Sequence, residues 1–154
     1  MAIAQTVSGF LQFHQVPYRI IMHPYRETSL EAAESAHVPP ERLAKAVVLA
    51  DRRGYLMVVI PSNRHVSLET LSQKLGRRLS LAEESRLVPV FRDCVTGAIP
   101  PLGPAYGIET IVDDSLVGQP EVYFESGDHR GLIRVGGDEF VELLAQAGHG
   151  QFTH

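Results

Sequence analysis

Tryptophan is missing from this chain, cysteine occurs once, and only two of its 14 basic residues, Lys45 and Lys74, are lysine, so the other twelve are arginine. A single thiol, Cys94, cannot close an internal disulfide; the fold must rest on burial, in keeping with a reducing compartment. Long apolar runs are missing too. The longest, Tyr55 to Ile60, is six residues, against the roughly 20 that a membrane-spanning helix needs. Met1-Ala2-Ile3-Ala4-Gln5 lacks the basic start of a secretory signal. These absences point to a cytoplasmic protein with no membrane contact. Basic excess is also lacking: 14 basic against 18 acidic side chains leave a formal charge of −4. That excludes a general nucleic-acid coating protein and argues against DNA as a partner, so any nucleic-acid contact should be small and local. The seven histidines are scattered, with no His-x-x-x-His or Cys-x-x-Cys spacing, so neither a metal site nor a metal cofactor is expected.

What is present suffices for one domain. At 154 residues and 44% apolar composition, folding removes roughly two thirds of the unfolded chain's surface from water. Ile3, Val7, Phe10, Leu11 and His14 fall at helical spacing and predict a helix over 2–15, stopped before Pro17. A strand is expected over 18–22. Thr28-Ser29-Leu30-Glu31 has the form of a capping box opening a helix to about His37. After Pro39-Pro40 and one helical turn, Ala46–Ala50 and Tyr55–Ile60 flank Asp51-Arg52-Arg53-Gly54 and pair most simply as a hairpin. Both runs are nearly continuous in apolar residues, which predicts a central sheet covered on both faces. Ser67 caps a helix ending at Gly76, and Ser80-Leu81-Ala82-Glu83 suggests a second capping box. Further strands are expected over 88–91, 109–112, 121–125 and 131–135, with a last helix from Asp138. The sum is an α+β fold, a single domain over 1–147 with a mixed, curved sheet flanked by helices, followed by a flexible tail over 148–154.

Three segments could carry chemistry. Gly97-Ala98-Ile99-Pro100-Pro101-Leu102-Gly103 begins a stretch too rich in chain-breaking residues for a helix or central strand. It is either a stiff connection or a rigid loop whose N–H groups face a ligand. Lys45 stands between Leu43-Ala44 and the Ala46-Val47-Val48 strand. Its amine either snorkels to water or, half-buried, acts as a compact charged donor. Glu125-Ser126-Gly127-Asp128-His129-Arg130-Gly131 gathers a hydroxyl, a carboxylate, an imidazole and a guanidinium in what is either a solvated hairpin turn or part of a site. Cys94 suits a nucleophile or, more ordinarily, a small buried residue. Arg52-Arg53 and Arg77-Arg78 are surface charge or the best candidates for phosphate.

Taken in order, His23-Pro24, Thr28…Glu31-Ala32-Ala33, Ala44-Lys45-Ala46-Val47-Val48-Leu49, Gly97…Pro101-Leu102-Gly103 and Ser126-Gly127 resemble the YbaK/EbsC family over roughly residues 1–147. Its members are aminoacyl-tRNA deacylases related to the inserted editing domain of bacterial prolyl-tRNA synthetase. Where many relatives read Gly-Gly-Val-Ser-Pro-Phe-Gly, this chain has Ala98 and Pro100 in place of the second glycine and the serine.

The resemblance implies a free-standing trans-editing hydrolase that cleaves the ester of mischarged aminoacyl-tRNA without metal or organic cofactor. An ester is already activated, so such a site mainly places it and stabilises the developing oxyanion. Lys45 would be the catalytic cation at the acceptor end, facing one pocket with the backbone of Gly97, Ala98, Ile99, Pro100, Pro101, Leu102 and Gly103. His23, Thr28, Ser126, Gly127 and His129 would complete the substrate contacts. The implied partners are the acceptor end of mischarged tRNA and a synthetase or elongation factor that supplies further contacts. The alternative, motivated by Ala98 and Pro100, is a non-catalytic module that binds aminoacyl-tRNA ends or an amino-acid derivative.

Overall fold

The computed structural model describes residues 3–154. Helix α1 (Gln5–Phe13) buries Val7 and Leu11 and gives way at Gln15, whose φ is 55°. It occupies the middle of the stretch expected to be helical; residue 2 lies outside the described residues. Strand β1 (Arg19–Met22) follows, and then α2 (Ser29–Ala36). The Thr28 hydroxyl accepts from the Glu31 amide and donates to its carboxylate, so the threonine half of the capping box is formed, while the carboxylate meets the hydroxyl and not the Thr28 amide. A 3-10 turn at Pro40–Arg42 delivers the chain into β2 (Ala44–Asp51), which pairs antiparallel with β3 (Gly54–Pro61). The Asp51 carboxylate accepts from the Arg53 amide, and Gly54 turns the chain at φ 126°, where a side chain would be strained.

Alternation on this hairpin feeds two cores. Ala44, Val48, Met57 and Val59 pack on one side with Phe91, Leu102, Phe124 and Phe140; Leu49, Leu56, Val58 and Ile60 pack on the other with Leu71, Leu79 and Phe152. Both faces of the central strands are covered, which explains their near-continuous apolar sequence. Helix α3 (Leu68–Leu75) supplies Leu71 and ends at Gly76 in the left-handed region, φ 61°.

Three expectations differ from the structure. Ser80–Leu81 is not a helix start but a two-residue edge strand, β4, pairing with Leu49 and Ala50; α4 begins later, at Glu84–Leu87. Residues 88–91 form turns, not a strand: Pro89 has no N–H to give a ladder, and Val90 and Phe91 donate back to Leu87. Residues 148–154 are tied down. Gly148–Gly150 forms β8, parallel to β5 (Glu109–Asp113), and the buried Phe152 donates its amide to Asp113 and accepts from the Ser67 amide.

The remaining elements are β6 (Glu121–Glu125), β7 (Gly131–Gly136) and α5 (Gly137–Leu143), whose helix starts one residue before Asp138. The strands form two sheets. One has the order β1-β7-β6, all antiparallel; the other is β4-β2-β3-β5-β8, mixed, with β3–β5 parallel. They meet where Leu43 bridges Tyr123 in parallel. Two residues beyond that bridge stand Lys45 on β2 and Glu125 on β6, and Ser126-Gly127 comes next. No helix among the described residues is long and apolar enough to cross a membrane.

Candidate active site

The β6–β7 turn is built around Asp128. One carboxylate oxygen accepts from Ser126 Oγ and from the amides of Arg130 and Gly131, closing the turn. Gly127 takes φ 117°, and a Cβ there would stand 3.0 Å from Ala4 Cβ, so only glycine fits. Two neighbours lock the turn: the Ala4 amide donates to Ser126 O (2.9 Å) and the Val95 amide to Gly127 O (2.7 Å).

His129 is the unusual residue. Its backbone is left-handed at φ 63°, uncommon for a side chain other than glycine, and the residue is 2% exposed. Its Nε2 lies 2.8 Å from Thr96 O. A carbonyl only accepts, so Nε2 carries the hydrogen, and in the neutral ring Nδ1 is left as an acceptor. That Nδ1 is buried with no partner. The ring is held between Tyr25, at 5.2 Å between centroids, and Gly97, whose Cβ position would lie 3.5 Å from Nε2 and Cε1. A strained backbone, full burial and an unused acceptor rarely coincide outside functional sites.

Further unpartnered atoms gather here. His23 Nε2, Glu125 Oε2 and Asp128 Oδ2 are buried without hydrogen bonds, and His23 Nδ1 donates to Pro24 O. Glu125 is 4% exposed; burial, reinforced by the charge of Asp128, pushes its carboxyl up to about 8, so it is mostly protonated at neutral pH. Met22, Tyr25, Asp93, Val95, Gly127, Asp128 and Arg130 line an open cleft of about 660 Å³ beside the turn. It adjoins an apolar groove walled by Leu87, Phe91, Val95, Thr96, Gly97 and Ile99.

The structure thus brings together Gly97, Ser126, Gly127, His129 and, through its amide bonded to Arg130 O, His23. It does not bring the whole glycine/proline loop to them. Ala98, Pro100, Pro101, Leu102 and Gly103 are buried as a wedge in the core, and a Cβ on Gly103 would collide with Thr110 Oγ1. Only Gly97 is exposed and Ile99 half-buried, and their amides meet no acceptor among the described residues. Thr28 is exposed and its hydroxyl is occupied in capping α2. Lys45 is half-buried and its amine reaches Ser62 O at 3.4 Å; burial lowers its pKa. Alternation sets Lys45 on the Val47/Leu49 face of β2, away from Leu102, which packs with Ala44 and Val48. The expectation that Lys45 and the entire loop line one pocket is therefore corrected: the buried half of the loop faces the other side of the sheet.

Cys94 adopts its ordinary role. Its Sγ lies 3.3 Å from Tyr106 Oη, which donates to Asp93, and burial pushes the thiol up to about 12, leaving no thiolate to attack at neutral pH. Tyr25 is the site group that sequence reasoning passed over; Glu125 and Asp128 were read within the turn segment but given no role of their own. The signal for Glu125 was a carboxylate closing the apolar run Val122-Tyr123-Phe124.

The chain matches the family model described as aminoacyl-tRNA editing domain over residues 23–143. It is 25% identical over 158 residues to the prolyl-tRNA editing protein ProX of Acetoanaerobium sticklandii, covering 97% of this chain and 94% of that protein. Among solved structures, the hypothetical protein APE2540 superposes with a TM-score of 0.83 at 23% identity, covering 97% of this chain and all of its own. A structure described as a candidate trans-editing enzyme for prolyl-tRNA synthetase gives 0.83 at 21% identity, with 100% and 98% covered. The two structures share the fold.

Proposed function

Because the chain belongs to the aminoacyl-tRNA editing domain family, it is an aminoacyl-tRNA deacylase, and we propose that it acts in trans on tRNAPro bearing the wrong amino acid, with the ester held beside His129. The supporting relative is the prolyl-tRNA editing protein. The need is physical: a synthetase pocket shaped for proline cannot exclude a smaller or equal-sized side chain by more than about 10–200-fold, so a second enzyme must remove the error.

The observation that carries the site is the buried, strained His129 with an unused Nδ1 acceptor next to the exposed Gly97. In the reaction a water oxygen bonds to the ester carbonyl carbon and the carbonyl oxygen becomes an oxyanion. Collapse breaks the bond to the ribose oxygen, which takes the proton that the attacking water gives up and leaves as the tRNA hydroxyl. His129 Nδ1 suits the hydrogen bond from the water; the amides of Gly97 and Ile99 suit the oxyanion. Lys45, two residues past the Leu43–Tyr123 bridge, supplies a cation with lowered hydration to the acceptor end. Ser126 and His23 border the same turn and complete the acyl pocket. A synthetase or elongation factor holds the tRNA body during transfer.

Ala98 and Pro100 lie in the core wedge and not at the exposed end of the loop, so their departure from the family pattern does not favour the non-catalytic reading. The test is ester loss from tRNAPro charged with alanine, cysteine or proline under catalytic amounts of protein. Removal of alanine or cysteine with proline spared is the expected result. Stoichiometric binding without turnover would establish the binding module instead.

A further inference from the structure

His129 keeps Nδ1 free as an acceptor only while its hydrogen stays on Nε2, and the group that holds it there is one backbone carbonyl, Thr96 O at 2.8 Å. That carbonyl sits on a strap, residues 92–97, strung between the buried Phe91 and Ala98. Burial does little to fix the strap. Arg92, Asp93, Val95, Thr96 and Gly97 are exposed, Cys94 is half-buried, and none of them belongs to a helix or a strand. Hydrogen bonds fix it instead. At one end the Ala98 amide donates to Val95 O at 2.9 Å and Gly97 takes φ 84°, the pattern of a type II turn, whose flipped central peptide presents Thr96 O to the His129 ring. At the other end stands Asp93. Its Oδ2 accepts from the Thr6 amide in the first turn of α1 at 2.8 Å, and its Oδ1 accepts from the Tyr106 hydroxyl at 3.0 Å, with Cys94 Sγ at 3.5 Å. Partial burial works against the charge of this carboxyl, but the hydrogen bonds from Thr6, Tyr106 and Cys94 outweigh it and hold the group below the usual carboxylate range.

We propose that Asp93 is a positioning residue for deacylation: by pinning the strap to α1 and to Tyr106 it keeps Thr96 O on His129 Nε2, and so reserves Nδ1 as the acceptor for the attacking water. The inference rests on the reading of His129 given above. Two observations favour positioning over contact with the substrate. Asp93 lines the cleft, yet both of its oxygens already accept from protein donors. The same end of α1 also grips the turn that carries His129, because the Ala4 amide donates to Ser126 O, and the Val95 amide joins strap to turn through Gly127 O. Carbonyl and imidazole are thus referred to one rigid helix end. The tautomer is worth that much structure, since an imidazole held with its hydrogen on the wrong nitrogen loses as much as about 10⁴ in kcat.

Three variants test this. Asp93→Ala removes both acceptors; Tyr106→Phe removes one donor and leaves its ring on Phe91, 4.7 Å between centroids; Asp93→Asn keeps an oxygen for the Thr6 amide and offers its NH₂ to Tyr106 Oη. The readouts are the ¹⁵N spectrum of the neutral His129 ring, assigned against His129→Asn, together with kcat and KM on alanyl-tRNAPro. The native ring should show Nε2 protonated and Nδ1 bare. Asp93→Ala should mix the two tautomers and lower kcat by about 10–100-fold while KM moves by less than about 3-fold, because the lost interaction serves the transition state alone. Tyr106→Phe should shift both in the same sense by less, and Asp93→Asn should restore the native spectrum and rate. A native ring spectrum and native kcat in both Asp93→Ala and Tyr106→Phe would overturn the proposal. So would a native spectrum with a raised KM, which would place Asp93 on the substrate. Mixed tautomers with native kcat would overturn it through His129 and not through the strap, since Nδ1 would then be outside the chemistry. If Asp93→Ala fails to fold, Tyr106→Phe decides by the same readouts.

Discussion

Replacing Glu125 by glutamine should abolish a pH dependence of stability that the native chain carries. Glu125 is 96% buried by area, no hydrogen bond satisfies its Oε2, and Asp128 adds a nearby negative charge. Unfolded, the carboxyl ionises near its ordinary 4.5; folded, near 8. Below pH 4.5 both states hold the proton, and ionisation costs nothing. Between 4.5 and 8 the unfolded chain releases the proton while the folded chain keeps it, so stability falls as pH rises; above 8 both are ionised and the whole cost is present. The gap of 8 − 4.5 = 3.5 decades in proton affinity, at about 1.4 kcal/mol each, gives about 5 kcal/mol as an upper bound. For a chain of this length each kcal/mol moves Tm by about 2–4 °C, so the effect is of order 10 °C. Calorimetry of both proteins from pH 5 to 9 is the assay. The quantity to follow is Tm of the native chain minus Tm of Glu125→Gln, since every other group is common to both proteins and cancels. It should fall steadily to about pH 8 and then level. A difference that stays flat across that range would show that Glu125 is ionised in the fold and has found a partner.

Other substitutions separate the roles argued above. His129→Asn keeps a residue that tolerates φ 63° but removes the ring, so the protein should fold while deacylation of mischarged tRNAPro drops by about 10²–10⁴; full activity would remove His129 from the chemistry. Lys45→Ala and Lys45→Arg should both leave Tm nearly unchanged and lower kcat by about 10²–10³, because the planar fork does not fit the space of a compact amine; wild-type turnover in the arginine variant would reduce Lys45 to a snorkelling side chain. Arg77→Met should lower Tm by stranding Asp51, and adding Asp51→Leu should recover about half of the loss or more; no recovery would mean that the guanidinium's packing and not the ion pair matters. A zinc chelator such as phenanthroline should leave the initial rate unchanged, and loss restored by added zinc would reveal a metal site.

Much of the fold is legible wherever one residue's preference and its burial agree. The β2–β3 ladder was readable because Val47, Val48, Leu49 and Tyr55 to Ile60 are apolar on both faces, and both faces are in fact covered. The stops at His37 and Gly76 and the cap at Thr28 were readable because each satisfies its own helix end locally. β4 and β8 were not: two or three residues long, they are strands only because an edge of β2 or β5 lies beside them, and no window of sequence contains that edge. At the site, composition identified a stiff Gly97–Gly103 segment but could not tell which side of it would be packed. The fold decides that, by driving Leu102 into the core beside Phe91 and leaving Gly97 against His129. Glu125 was hidden by its neighbours, since a strand ending Tyr-Phe-Glu reads as an apolar run meeting solvent, whereas Glu125 pairs with Leu132 of β7 and the Ala4 amide closes on Ser126 next to it.

The placement of unsatisfied groups explains how so small and acidic a chain can work on an anionic polymer. Buried polar atoms without partners are few in a folded protein, and each subtracts from stability. Here four of the five such atoms among the described residues belong to His23, Glu125, Asp128 and His129, all within or bonded to one turn, while the fifth is on Arg42. Stability lost at that turn is offset by a doubly covered sheet elsewhere, so the strain can persist. The charge is divided in the same way. Asp93 and Asp128 line the open cleft beside the β6–β7 turn, and the exposed guanidiniums of Arg52, Arg53 and Arg78 line a separate one. An overall charge of −4 is thus unevenly spread, and an anionic polymer meets local fields and not the net charge.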